Sequence, residues 1–438
     1  MWNNEIEQTT SAVTCPCCGL SCDDLKIEIE SGRLSSMENG CELARTSFDT
    51  TFRQVDATPR IDGRRTSLEE ALTHGAELLR NARAPLFAGL ATDVNGMRGI
   101  LGLADRCGAT LDHLNGDAMF RNIRVIQDNG WFTTTFTEVR NRADLILLVG
   151  RQCVERFPRL IERVLHPRES LFNGADERRL VLLGPWNGDR LPPEMAPLHP
   201  TLIPLETEAL PDAVGLLRGL VANRPVAPDK LGEGRGAALT DLARRLREAK
   251  YSVICWCAAE FERPHAELTV QALAELAKDL NTDTRSAALP LAGSQADITC
   301  NQVCTWQLGY PLRTRLQRGY PEHDPLLNRW QDLLDSGESD LLLWVSSLSP
   351  QTSPPPWDGP TLALGHAGMV FEKEPSLYIP VGVPGIDHPG HWYRSDGVCP
   401  LPLGQLRDVG LPPVSRIVDL LHERLKPSAG EPQRGLPC

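Results

Sequence analysis

The hydrophobic pattern of this chain alternates between short apolar runs and longer stretches in which apolar residues recur at helical spacing. Short continuous apolar runs are typical of buried strands, and the longer stretches are typical of surface helices. Strands are predicted in the first half at 84–90, 143–150, 178–184 and 201–206. Helices are predicted at 68–82 and 96–108. Strand, crossover helix and strand in succession indicate a parallel, doubly wound sheet.

A second series of the same kind follows residues 222–239, which are rich in Pro, Gly and charge and are predicted to be a linker. The predicted strands of this series are 251–256, 286–293, 340–347, 360–365 and 376–383. The predicted helices are 241–250, 264–281, 326–334 and 415–425, with a loop-rich segment at 294–325. Ser67 with Glu70 forms a predicted capping box, and Ser415 is a predicted N-cap.

The pattern therefore predicts an α/β protein with a small Cys-rich N-terminal lobe and two doubly wound, Rossmann-like parallel-sheet domains. The predicted boundaries are a lobe with returning strands at 1–60, a first α/β domain at 61–221, the linker at 222–239, a second α/β domain at 240–425 and a loose tail at 426–438.

Composition narrows the classes of function. The 438 residues are 41% hydrophobic and 23% charged, as in an ordinary globular protein. A formal net charge of −12 argues against a nucleic-acid partner, because a polyanion needs a basic face. The N-terminus does not resemble a signal peptide and no apolar run is long enough for a membrane span. We expect a cytoplasmic protein whose 13 cysteines are metal ligands or buried thiols.

Candidate chemistry is concentrated near the N-terminus, where five thiols occur between positions 15 and 41. Cys15, Cys18, Cys22 and Cys41 have a spacing that suits either a 4Fe–4S cluster or a zinc ion, and Cys17 is the spare thiol. Between the third and fourth thiols, residues 25–37 predict a small hairpin that returns Cys41 to the loop. The alternative is that these thiols only pack.

Other candidate ligands are weaker. Cys255 with Cys257, and Cys300 with Cys304, lack further partners nearby in sequence, so buried free thiols are the favoured interpretation. The segment 387–391 offers two His and one Asp, but a Pro/Gly loop gives them no fixed face, which disfavours a metal site. We find no nucleophile elbow and no phosphate-binding loop, and therefore no self-contained hydrolase or transferase centre.

Four stretches together resemble the B subunit of formylmethanofuran dehydrogenase, a short relative of the molybdenum and tungsten pterin oxidoreductases. They are CPCCGLSCDD at 15–24, NRADLILLVG at 141–150, the Trp-, Tyr- and Arg-rich segment at 301–325, and YIPVGVPGIDHPGHWYRSDGVCPLPL at 378–403. The resemblance runs from about Cys15 to Leu425. It implies a formate dehydrogenase/DMSO reductase-like fold and a 4Fe–4S cluster on Cys15, Cys18, Cys22 and Cys41.

The chain departs from that family where a pterin and its metal would bind. An active member has a Cys or selenocysteine ligand in the segment matching 115–131, which here contains no Cys, Ser or His. The family motifs after Gly150 and around Asn187 are also replaced. We therefore expect a degenerate pterin site near Asp117, Met119, Gly150 and Asn187, filled by side chains such as Phe120 and Arg121, and no tungsten or molybdenum pterin.

These departures resemble the bacterial formyltransferase/hydrolase complexes of C1-oxidising methylotrophs. Such a complex moves a formyl group between tetrahydromethanopterin and a methanofuran-type carrier and releases formate. The resemblance implies that this chain has no catalytic residues of its own. It also implies a hetero-oligomer in which this chain is the structural partner of amidohydrolase, β-helical and formyltransferase subunits.

Two alternatives stay open from the sequence. The chain could be an active tungsten or molybdenum subunit in which Asp117 or a main-chain oxygen replaces the thiolate ligand. It could also be an iron–sulfur scaffold protein outside such a complex.

Overall fold

The structure is a computed structural model that describes residues 8–53, 56–172, 178–186, 191–227, 232 and 234–426. Asn187, the middle of the predicted linker and all but the first residue of the predicted tail lie outside the described residues. No helix in the described part of the chain combines the length and apolarity needed to cross a bilayer.

The described strands are β1 (Gln8–Val13), β2 (Leu25–Glu30), β3 (Arg33–Glu38), β4 (Arg60–Ile61), β5 (Arg64–Arg65), β6 (Pro85–Ala91), β7 (Thr110–Leu111), β8 (Leu145–Val149), β9 (Arg179–Gly184), β10 (Thr201–Pro204), β11 (Tyr251–Trp256), β12 (Arg285–Pro290), β13 (Thr314–Arg315), β14 (Glu322–His323), β15 (Leu341–Ser346), β16 (Thr361–His366), β17 (Leu377–Val381), β18 (Gly390–Tyr393) and β19 (Pro400–Leu403).

The described α-helices are α1 (Glu42–Arg53), α2 (Leu68–Asn81), α3 (Val94–Cys107), α4 (Gly116–Asn129), α5 (Phe136–Arg142), α6 (Gln152–Glu155), α7 (Leu210–Val221), α8 (Arg235–Glu248), α9 (Glu267–Leu280), α10 (Asp297–Leu308), α11 (Trp330–Asp335) and α12 (Val414–Arg424).

The first of two compact units contains the described residues up to Gly116 and from Gly293 onward. Its main sheet has the strand order β14-β13-β7-β6-β15-β16-β17-β4-β5, parallel from β7 to β17 and antiparallel at both edges. Helix α12 packs against α2 and α3. The unit also holds an antiparallel sheet of β1, β2 and β3 and the small pair β18–β19.

The second unit, Asp117–Ala292, is built on an all-parallel sheet with the order β10-β9-β8-β11-β12. Strands β8 and β11 are buried along their whole length, as expected for a sheet covered on both faces. Their side chains join those of α7, α8 and α9 in one hydrophobic core. The expected α/β class with parallel sheets is confirmed in both units.

Local sequence signals account for many of the elements. The capping box at the start of α2 is present, with the Ser67 hydroxyl accepting from the Glu70 amide and the Glu70 carboxylate accepting from the Ser67 amide. The predicted strand at 251–256 coincides with β11. The predicted hairpin forms as β2 and β3, which pair antiparallel. These elements depend on neighbouring residues, which is why the sequence alone predicts them.

The two compact units do not follow the predicted domain division. Strand β8 precedes the predicted linker and β11 follows it, yet the two pair in one sheet. Strand β6 pairs with β15, which lies in the predicted second domain. The predicted 1–60 lobe belongs to the first compact unit and is not a separate one. The chain leaves the first unit after Gly116, forms the second unit and returns to the first at Gly293. The sequence did not predict this path because hydrophobic periodicity does not reveal which distant strands pair.

Three local predictions also need correction. Helix α12 begins at Val414 with Pro413 as N-cap, so Ser415 is not the cap. The segment predicted to be loop-rich contains α10, whose buried face consists of small or polar residues such as Thr299 and Cys300 and therefore lacks the usual apolar signal. Helix α8 begins at Arg235, inside the predicted linker.

Candidate metal centre at the cysteine loop

Backbone hydrogen bonds close the chain around the first thiols into a loop, residues 15–22, called the cysteine loop below. The Cys15 amide donates to the Cys22 carbonyl at 2.8 Å, and the Ser21 amide donates to the Cys18 carbonyl at 3.1 Å. Ser21 has a φ of 49°, an unusual conformation for a residue other than glycine. The loop therefore fixes three of the predicted ligands, Cys15, Cys18 and Cys22, within one turn of chain.

The β2–β3 hairpin returns the fourth thiol to this loop, as the sequence predicts. The Asn39 side chain donates to the Asp24 carbonyl at 2.9 Å, which closes the base of the hairpin two residues from both Cys22 and Cys41. Cys41 then leads into α1, where its carbonyl accepts from the Arg45 amide at 2.9 Å. Strand pairing and the first turn of a helix thus define the position of Cys41.

Electrostatic interactions link Cys18 to the other three predicted ligands. Burial raises the pKa of the Cys18 thiol well above its usual value, and Cys15, Cys22 and Cys41 raise it further through charge repulsion. Thiols in this condition stay protonated unless a cation compensates their charge. A metal centre is one group that would supply such compensation.

Among the described residues, no group of three His, Cys, Asp or Glu side chains is placed to hold one metal ion. A structural zinc needs four ligand atoms around one point, whereas each thiolate of a 4Fe–4S cube binds a different iron.

The C-terminal segment holds the cysteine loop in place. Trp392 on β18 donates its indole N–H to the Ser21 hydroxyl at 2.6 Å, and both side chains are buried. The Ser395 amide donates to the Gly19 carbonyl at 2.7 Å. These contacts connect the two stretches of the resemblance that lie farthest apart in sequence.

A close backbone approach supports the other side of the loop. Gly293 has a φ of 104°, and a Cβ atom built there would lie 2.5 Å from the Gly19 Cα atom. The Gly293 amide donates to Asp297 Oδ1 at 2.6 Å. Asn115 donates to Asp297 Oδ2 at 3.1 Å and to the Ser294 carbonyl at 3.0 Å. Only glycine fits at this contact with the cysteine loop.

A buried ion pair anchors α1, the helix that follows Cys41. Arg407 pairs with Asp387 at 2.6 Å, and both side chains are almost fully buried. The Arg407 guanidinium also donates to the Thr51 carbonyl at 2.8 Å and to the Phe52 carbonyl at 3.0 Å, at the end of α1. A cation at this end satisfies free carbonyls and the helix dipole.

Cys17 faces a different environment. It is partly exposed and lines a small cavity of about 110 Å³ with Pro16, Thr46 and Gln351 among others. Its assignment as the spare thiol stays a prediction.

Residues 115–131 match the segment that carries the tungsten or molybdenum ligand in the family that this chain resembles. In this structure, the first unit ends within that segment, after Gly116, and the second unit begins there. Met119 and Phe120 on α4 are buried. Arg121 donates to the Ala258 carbonyl at 2.8 Å, and burial lowers its pKa while Asp117, one turn earlier, opposes the shift. Gly150 follows β8 with a φ of 83°, and a side chain there would overlap the Glu260 carboxylate.

The remaining candidate thiols lie in the protein interior. Cys255, Cys257, Cys300 and Cys304 are buried and form no disulfide. Cys255 Sγ lies 3.9 Å from Cys153 Sγ, and the Cys300 thiol donates to the Leu90 carbonyl.

The segment 387–391 does not gather its possible ligands. The Asp387 carboxylate is taken by Arg407, and Nδ1 of His388 is engaged with the Pro389 carbonyl. His391 is exposed. The three possible ligands therefore differ in environment, with Asp387 in an ion pair, His388 largely buried and His391 exposed.

The residues that support the cysteine loop were not predicted from the sequence. Trp392, Ser395 and Gly293 belong to motifs or turns that the sequence displays, but their partners lie more than 270 positions away in the chain. The only available signal was the resemblance itself, in which the stretches at 15–24 and 378–403 occur together.

Comparison with known proteins places the chain. No family model matches it. It is 32% identical over 330 residues, 74% of this chain and 85% of the relative, to the B subunit of the formyltransferase/hydrolase complex Fhc of Methylorubrum extorquens. It is 25% identical over 437 residues, 94% of this chain and 98% of the relative, to the B subunit of tungsten-containing formylmethanofuran dehydrogenase 2 of Methanocaldococcus jannaschii.

A solved structure agrees with the sequence comparison. A chain in the crystal structure of the formyltransferase/hydrolase complex FhcABCD from Methylorubrum extorquens, in complex with methylofuran, matches with a TM-score of 0.72 and 28% identity. The match covers 84% of this chain and 98% of that chain. The chain therefore belongs to the family of B subunits found in formyltransferase/hydrolase complexes and formylmethanofuran dehydrogenases.

Proposed function

We propose that this chain is the B subunit of a formyltransferase/hydrolase complex in tetrahydromethanopterin-linked one-carbon metabolism, located in the cytoplasm, and that its role is structural. The observation that carries the proposal is the match over 84% of the chain to a subunit of the FhcABCD complex. Formyl transfer and formate release are then reactions of the other subunits.

The segment in which relatives would carry the metal ligand supports a role without redox chemistry. Residues 115–131 contain no Cys or His. Asn115 is held by Ser294 and Asp297, and the α4 side chains Met119 and Phe120 are buried. Tungsten and molybdenum need soft or otherwise well-placed ligands. Asp117 offers an oxygen donor in this segment, and its neighbour Arg121 gives that carboxylate a charge partner within the chain.

The partners in this proposal are the amidohydrolase, β-helical and formyltransferase subunits. The test is expression of all four subunits with and without this chain. We expect the complete set to assemble and to transfer formyl groups between tetrahydromethanopterin and the methanofuran-type carrier. We expect assembly to fail when this chain is omitted. An intact, fully active complex of the other three subunits would contradict the structural role.

The cysteine loop is proposed to hold a 4Fe–4S cluster on Cys15, Cys18, Cys22 and Cys41. Such a cluster would cross-link the loop to the start of α1 through four thiolates. The test is iron and sulfide analysis of anaerobically purified protein. Cys18→Ser should abolish iron binding, and the matched variant Cys17→Ser should retain it. Equal iron in both variants would contradict the assignment.

A further inference from the structure

The sheet of the second unit has a reversal of strand order, the feature at which open parallel sheets bind nucleotides. In the order β10-β9-β8-β11-β12, the chain runs outward from β8 through β9 to β10 on one side, and β11 and β12 lie on the other. The strand order therefore reverses between β8 and β11. Ligands of doubly wound sheets bind outside the carboxyl ends of the strands at such a reversal, commonly with a phosphate group against backbone N–H groups.

In this protein, a side chain of the same unit occupies that position. Glu260 follows β11, and its carboxylate reaches the turn after β8. Its Oε1 atom accepts from the Arg151 amide at 2.9 Å, and its Oε2 atom accepts from the Gln152 amide at 3.0 Å. Both carboxylate oxygens are thus used on two consecutive backbone donors, the arrangement that a phosphate oxygen pair would adopt.

The Glu260 carboxylate lies close against the surrounding backbone. A Cβ atom on Gly150 would overlap the Glu260 carboxylate, and one on Gly184 would lie 3.2 Å from the Gly150 Cα atom. Burial raises the pKa of Glu260, while the two backbone N–H groups oppose that rise. The carboxylate is therefore partly desolvated and held by these donors.

We propose that Glu260 is the permanent internal occupant of the nucleotide-phosphate position of the second unit, and that this position accordingly does not accept the phosphate of a pterin nucleotide. The inference rests on the proposed redox-silent function and adds the residue that blocks the cofactor. A bound phosphate and Glu260 compete for the same two N–H groups, and a carboxylate on the same chain has a far higher effective concentration.

The direct test is hydrogen exchange of the Arg151 and Gln152 amides in the wild-type protein, which requires no variant. We expect both amides to exchange at least about tenfold more slowly than in an unstructured peptide, although neither lies in a strand. Glu260→Ala should remove this protection, and the matched variant Glu262→Ala, which changes an exposed carboxylate two residues away, should keep it. Unprotected amides in the wild-type protein would overturn the proposal.

The second test uses inorganic pyrophosphate as the probe, measured by calorimetry. We expect Glu260→Ala to bind it at least about tenfold more tightly than wild-type protein or Glu262→Ala. Equal binding in all three proteins would show that this is not a phosphate position. If Glu260→Ala does not fold, Glu260→Gln takes its place, because an amide offers one acceptor and should release one of the two backbone N–H groups.

These outcomes are separate from those of the proposed function. Failure of the four-subunit complex to assemble or to transfer formyl groups would refute the proposed function and leave the exchange rates of Arg151 and Gln152 unchanged. Rapid exchange at these two amides in an active complex would refute the proposed role of Glu260 and leave the proposed function standing.

Discussion

The cysteine loop of the first unit, the proposed cluster site, and the β8 turn of the second unit, the proposed phosphate position, differ in what the chain provides. At the cysteine loop, four thiols remain, and Trp392, Ser395 and Gly293 hold the backbone around them. At the β8 turn, the Glu260 carboxylate fills the position and uses the available backbone donors.

The difference follows from what each region does for the fold. The cysteine loop contacts distant parts of the first unit, so a change there would disturb packing in several places. The β8 turn needs only a partner for two backbone N–H groups, and one carboxylate supplies it. A subunit with the proposed redox-silent role can therefore keep the first arrangement and replace the second.

The largest expected effect comes from breaking the ion pair between Arg407 and Asp387, which holds the end of α1. Arg407→Ala should lower the free energy of unfolding by about 3–5 kcal/mol, because it leaves the buried Asp387 carboxylate unpaired. Urea denaturation measures the change. Arg244→Ala, which removes exposed ion pairs with Asp241 and Glu248, should cost far less, because solvent screens exposed charges. Equal losses in the two variants would show that the first unit does not depend on this anchor.

A pH effect is expected from His366, whose ring contacts Thr51 on α1 at 3.2 Å. Burial and then the Arg407 charge lower its pKa from 6.5 to about 4. The unfolded state therefore takes up a proton first, and the contribution of His366 to stability is present above pH 6.5 and falls as the pH drops to about 4. The loss should reach about 3 kcal/mol.

The measurement is unfolding of wild-type protein and His366→Gln between these two pH values. The difference in unfolding free energy between the two proteins should change across the range. His265→Gln, which alters a side chain that is 80% exposed, is the control substitution. A difference for His366→Gln that stays constant across the range would contradict the buried, neutral ring.

Gly293→Ala tests the close approach to the cysteine loop. We expect a loss of about 2–3 kcal/mol, because a φ of 104° strains alanine and its Cβ atom would press on Gly19. Gly309→Ala is the matched control, since its φ is 79° but no atom lies within 4 Å of the new Cβ atom, and about 1 kcal/mol is expected. Thermal unfolding compares them, and equal losses would argue against the contact.

The smallest expected effect is at the Trp392–Ser21 hydrogen bond. Trp392→Phe, Ser21→Ala and the double variant form a cycle in which the coupling free energy should be about 1 kcal/mol. Urea denaturation of the four proteins gives the coupling. Additive losses would mean that the indole does not hold the cysteine loop through Ser21.

The part of this architecture that depends on nearby residues could be predicted from the sequence. The capping box at Ser67 and the strand at β11 follow from local patterns, and the thiol spacing with its hairpin predicted that Cys41 returns to the loop. The resemblance of four sequence stretches also predicted that the chain is related to these B subunits, and the comparisons confirm it.

The rest depends on contacts between distant residues. Strand β6 pairs with β15, and Glu260 reaches Arg151 across 109 positions, and no periodicity encodes either contact. Helix α10 escaped prediction because Thr299 and Cys300 replace large apolar residues on its buried face. The division into two units was missed for the same reason, since sheet membership is set by tertiary pairing.

Elemental analysis of the complete complex from its native source tests the structural role of this chain most directly. We predict full formyl-transfer activity without tungsten or molybdenum, because residues 115–131 offer no thiolate and Glu260 takes the phosphate position. Tungsten or molybdenum in stoichiometric amount with this chain would contradict the structural role and would identify the chain as a redox subunit.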